Sequence, residues 1–159
     1  MVPRDIANFL ARASVAVVST RDDDLVPHLH FLSGWSVAED LGSVVCLVPP
    51  SFDDGVTERL ARHADLAMVA EVIGPHETYQ LKGRYIDHRP AGEADRQVFE
   101  ECRQRFVDAV QRHLRGRFGE DALRARFREP ALAVRFAVDE VFLQTPGPAA
   151  GRRVYPAER

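Results

Sequence analysis

The sequence predicts an α+β fold: a mainly antiparallel sheet of six strands rolled into a barrel or sandwich, with flanking helices. Three observations lead there. Short apolar segments rich in Val, broken by Pro, Gly and Asp, recur along the chain and read as strands. One stretch, 94–115, carries a helical repeat and stands before the last strand. The strands do not alternate regularly with helices, which excludes βαβ winding.

Taken in order, Ile6, Phe9, Leu10 and Ala13 share one face of a short helix, with Asp5 placed to cap it. "SVAVVSTRDDD" reads as a buried strand leaving through a polar turn, and "VPHLHFLSGW" as one alternating strand. In that alternation Leu29, Phe31, Ser33 and Trp35 point one way, and His28, His30 and Leu32 the other. "SVVCLVPP" is a further strand, stopped by Pro49 and Pro50. Ser51, Asp53 and Asp54 offer caps for a helix holding Leu60 and Ala61, and strands are predicted over 66–72 and 78–87. Val98, Cys102, Phe106, Val110 and Leu114 form the apolar stripe of the long helix, and "EDALRARF" a short one. The last strand puts Leu132, Val134, Phe136 and Val138 on one face; the tail from residue 147 shows no period.

At 159 residues the chain is expected to form one domain, 1–159, with a core of its own. With 45% hydrophobic and 28% charged residues, it has the composition of an ordinary globular protein. A net charge of -3, with arginines interspersed among carboxylates, supplies no field for nucleic acid or an anionic membrane. Cys46 and Cys102 lie far apart and outside any CxxC pair, so free buried thiols are expected. Charges interrupt the first residues and no apolar run approaches the roughly 20 residues that span a bilayer, so a cytoplasmic location is expected. Neither a G-x-S-x-G elbow nor a phosphate-cradling glycine fingerprint is present.

Four stretches, "VAVVSTRDDDLVPHLHFL", "SVVCLVPPS", "LARHADLAMVAEV" and "TYQLKGRYID", stand in the order and at the separations of a known family. They resemble the pyridoxamine 5'-phosphate oxidase-like, FMN-binding split β-barrels, and "DEVFLQTPGPAAGRRVY" resembles the closing strand and tail of short members. The resemblance covers roughly residues 6–90 and 131–155. It implies a split β-barrel homodimer that binds FMN in a groove at the subunit interface and acts as an oxidoreductase on a small organic substrate. Some members carry the deazaflavin F420 or haem instead.

The resemblance also directs attention to particular residues. Ser51 matches the hydroxyl that members offer to the cofactor phosphate, but Val56 falls where they carry a cation, beside Asp53 and Asp54. Arg59, one turn on, or Arg152 and Arg153 of the tail would then supply the missing charge. That departure also admits an alternative, a flavin-free binding or regulatory barrel. Strand alternation sets Gln80, Lys82 and Arg84 opposite Tyr79, Leu81, Gly83 and Tyr85, so Gln80 and Lys82 face outward, where the family holds its partner and cofactor. Lys82 is the chain's sole lysine, and Gly83 beside it permits a bulge or a close backbone approach. His28 and His30, at i and i+2, are the candidate catalytic groups, as hydrogen-bond donors or proton relays beside a flavin. A metal between them, with His76 or His88, is not expected, because the spacings match no known ligand set.

Overall fold

The computed structural model describes residues 1–50, 55–114 and 116–156. Eight strands form one curled antiparallel sheet: β1 (Val15–Arg21), β2 (Pro27–Phe31), β3 (Gly34–Val37), β4 (Val44–Val48), β5 (Asp65–Val72), β6 (Glu77–Pro90), β7 (Leu132–Leu143) and β8 (Arg153–Tyr155). Among the described residues four helices flank it: α1 (Arg4–Arg12), α2 (Val56–Arg62), α3 (Glu93–Leu114) and α4 (Glu120–Arg126). Along the sheet the order is β2-β1-β5-β6-β7-β4-β3, with β8 added to β7. The α+β class and the long helix before the main closing strand match the prediction. Two strands beyond six arise because 26–35 divides in two and the tail contributes β8, whose three residues are too few to show a period.

The division of 26–35 has a local cause. The amide of Leu32 donates to Ala16 in β1, and the next amide, of Ser33, donates to Leu47 in β4. The chain therefore crosses from one half of the sheet to the other between two consecutive residues, and the crossing resets the alternation. Leu29 and Phe31 point outward, 61% and 52% exposed, while Trp35, expected on their face, is buried with its indole N–H on the Leu10 carbonyl at 2.9 Å. His30 points into the core at 1% exposure.

The long strands β6 and β7 bind the two halves together. The first half of β6 pairs with β5, while the first half of β7 pairs with β4. Between them the register slips at Lys82/Gly83, where Gly83 faces Val138 and Lys82 faces Glu140, leaving Asp139 extra. This bulge shifts the inward phase of β7 from Val134, Phe136 and Val138 to Val141.

Inside the curl lie Phe9, Leu10, Leu60, Met68, Leu81 and Phe136, each nearly inaccessible. Removing such a side chain from water contributes roughly 1.5–3 kcal/mol. Helix α1 closes one side with Ile6, Phe9 and Leu10; Pro3, not Asp5, holds its N-cap, and Asp5 sits in the first turn, favourable toward the helix dipole. Helix α3 buries Phe99, Cys102, Phe106 and Val110, whereas Leu114, expected in its stripe, is 42% exposed at the helix end. Its start is pinned by Asp95, which accepts from the Gly92 amide at 2.7 Å and from both Nη atoms of Arg89 on β6.

Candidate functional site

The outward face of the first half-sheet is built from cross-strand rows, since side chains two apart on a strand share a face. One row runs Phe31, Val17, Val69, Gln80, Phe142 and reaches Arg153 on β8. The next runs Leu29, Ser19, Ala67, Lys82, Glu140. A third is charged: Arg21 pairs with Asp65 at 3.7 Å, and Arg84 with Asp139 at 3.2 Å. Ser19 and Ala67 are too small to fill the middle row, and a groove of about 460 Å³ opens over them, lined also by Leu25, Pro27, Lys82 and Glu140.

Lys82 is the polar landmark of this groove. Its ammonium lies 4.8 Å from the centre of the Phe142 ring, a cation–π contact. Glu140 opposite it is held by Arg153 Nη1 at 3.1 Å, so among the described residues Lys82 has no ion pair. Gln80 accepts from Gln144 Nε2 at 3.5 Å. The outward orientation of Gln80 and Lys82 and the bulge at Gly83 follow the sequence reading, and Arg153 joins them across β7 and β8. Arg152 is exposed and reaches the sheet through its carbonyl, which accepts from the Leu143 amide at 2.9 Å.

Arg59 belongs to a different surrounding. Rooted on α2 and only 9% exposed, it donates through Nε to Thr20 Oγ1 at 3.1 Å and approaches His30 Nε2 at 3.4 Å. Arg59 lines a hollow of about 270 Å³ between α2 and the β1–β2 hairpin, which it meets through the inward side chain of Thr20, on the opposite face of β1 from Ser19. Asp22, His28 and His63 are among the residues that line this hollow. The hairpin is tied down there by Asp22 with His28 at 3.1 Å, and by Asp23 with His63 at 2.6 Å and Arg62 at 2.7 Å. The His28 ring and then the Val26 amide hold the Asp22 carboxyl below the usual range, and the His63 ring does the same for Asp23. Val56 is buried in the core at 3%, so the position where a cation was sought contributes packing. Ser51, Asp53 and Asp54 lie outside the described residues.

His76 and His88 do not join the strand histidines: His76 bonds Glu71 at 2.6 Å and His88 the Tyr85 hydroxyl at 2.6 Å. No group of three potential metal ligands occurs among the described residues. The sequence reading missed the groove itself. Its signal was present in Ser19 and Ala67, small residues that share the outward face of β1 and β5 with Val17 and Val69, but only the cross-strand register sets them side by side.

No family model and no curated protein matches the sequence. Solved structures match its fold. HupZ of Group A Streptococcus superposes with a TM-score of 0.55 at 13% identity, over 95% of this chain and 100% of that one. A pyridoxamine 5'-phosphate oxidase-related, FMN-binding protein of Nostoc punctiforme gives 0.53 at 9% identity, over 94% and 87%. An F420 reductase gives 0.54 at 13% identity, over 88% and 98%. The chain thus has the fold of the pyridoxamine 5'-phosphate oxidase-like proteins, in agreement with the resemblance read from its four stretches.

Proposed function

We propose that the chain binds FMN at the interface of a homodimer and acts as an oxidoreductase on a small organic molecule, in the cytoplasm. The observation that carries this reading is the groove over Ser19 and Ala67 with Lys82 on its wall, on a fold that includes an FMN-binding protein among its neighbours. A flavin ring needs a flat apolar bed and a few donors that tune its potential. Ser19, Ala67, Leu25 and Pro27 suit the bed, and the Lys82 ammonium suits the tuning, since a cation near the ring favours its electron-rich, anionic form.

The exposed Leu29 and Phe31 beside the groove suit burial by a second subunit, which would close the site from above. For the phosphate we assign Arg59 and the hollow beside α2, with Arg152 and Arg153 as the reserve of charge from the tail; Ser51 stays a candidate on the family resemblance alone. Of the two histidines, His28 is the better proton relay because it lines the hollow, whereas His30 is buried. The bound flavin would supply the hydride exchange, and the chain's own residues would orient the substrate against it and exclude water.

A second reading is a flavin-free binding or regulatory barrel. The burial of Val56 and the carboxylates of Asp22, Asp23 and Glu58 on the hollow favour it, because they oppose a phosphate there. The visible spectrum of the purified protein, followed by titration with FMN, separates the two. Flavin bands, present or restored, support the first reading. Bands restored only by F420 or haem replace its cofactor, and a protein that none of the three colours would leave the second.

A further inference from the structure

A separate cavity of about 340 Å³ lies where α3 and α4 cover the junction of β1, β2 and the end of β4. Its walls are Val15, Phe31, Leu32, Pro49, Phe106 and Phe127, and Arg126 and Arg128 are its only charged lining residues among those described. The interior offers no spare polar group at Ser33, whose hydroxyl donates to the Arg128 carbonyl at 2.7 Å and whose amide donates to Leu47. Whatever occupies the interior must therefore be apolar, and three aromatic walls favour a flat ring.

The two guanidinium groups differ from several arginines of the covering helices. Arg96, Arg103 and Arg124 on α3 and α4 pair with a glutamate three or four residues away, while Arg105 turns to the Ala13 carbonyl and the Cys102 sulfur. Arg126 and Arg128 have no carboxylate partner among the described residues; Arg126 instead lies over Phe31, 4.9 Å from the ring centre. The segment carrying them is fixed in place. The Phe127 amide donates to the Arg124 carbonyl at 3.1 Å, the Phe127 ring packs on Phe106 at 4.9 Å between centres, and Ser33 holds residue 128. Two cations carried by this segment on the lining of an aromatic cavity suit a ligand with a flat apolar body and one anionic end. A carboxylate suits them, since it accepts two parallel N–H bonds from one guanidinium.

We propose that this cavity binds a planar aromatic carboxylate, with its ring among Phe31, Phe106 and Phe127 and its carboxylate on Arg126 and Arg128. The site does not depend on the flavin reading. Calorimetric titration of the purified protein with naphthoate, and with the uncharged naphthalenemethanol, tests it, alongside the double variant R126Q/R128Q. Naphthoate is expected to bind, with the alcohol and the variant each weaker by about tenfold or more, the loss of a charge-assisted pair. Circular dichroism and thermal unfolding of the variant confirm that it folds, and an FMN titration of the same variant separates this site from the groove. Absence of naphthoate binding, or equal binding by the folded variant or of the alcohol, overturns the assignment.

Discussion

The carbonyl of Ala137 occupies the space that a β-carbon on Gly83 would need. The two backbones meet there because the β6–β7 register slips by one residue, and the slip is what sets Lys82 outward beside the groove. Gly83→Ala must push β7 away or undo the bulge. It is expected to lower stability by about 1–3 kcal/mol, the usual cost of overpacking, with a matching fall in the urea midpoint. An unchanged midpoint would show that the strands separate freely at this point.

Leu29 and Phe31 are large apolar side chains turned to solvent from an edge strand, a combination that strands protect against unwanted pairing. Replacing both by Asp is expected to leave the fold intact and convert the protein to a monomer in sedimentation velocity. If the unaltered protein sediments as a monomer at the same concentration, the proposed interface fails.

Asp95 gives the pH prediction. Arg89 and the Gly92 amide hold its carboxyl below the usual carboxylate range. Because the folded value is depressed, the pair's contribution is complete above the ordinary value and is lost as pH falls through the depressed one. Arg89 is 57% exposed and Asp95 8%, so solvent screens part of the attraction. Asp95→Asn should cost roughly 2 kcal/mol at neutral pH. In denaturant titrations the gap from the parent should narrow as the solution becomes more acidic; a gap independent of pH would mean that the carboxylate's charge does not contribute.

The two thiols should be inert. Burial alone pushes Cys46 up to about 12, and burial also raises Cys102 against the opposing pull of Arg105. Thiolate-selective reagents are expected to label neither residue in the folded protein and both in denaturant, read by mass. Labelling of Cys102 in native buffer would show that α3 opens from the sheet.

Local pattern carried far more of the fold than of the site. The apolar runs gave six strands, and alternation alone turned Lys82 outward and Leu81 inward. It failed at Leu32 and Ser33, because two consecutive amides bond to strands in different halves of the sheet and no periodicity encodes such a crossing. That failure reversed the expected environment of Trp35 relative to Leu29. At the site, the residue types were visible but their company was not: Arg59 meets Thr20 across 39 positions of sequence, and Arg153 meets Glu140 only because β8 forms.

Lys82 also makes the groove self-reporting. Apart from the terminal amine, the chain has no other primary amine, so an acylating reagent marks one internal position, beside the bulge and on the groove wall. The extent of that single modification, followed by mass, measures how often the groove is open to solvent. Any occupant, whether cofactor or second subunit, is then registered as protection of one nitrogen atom.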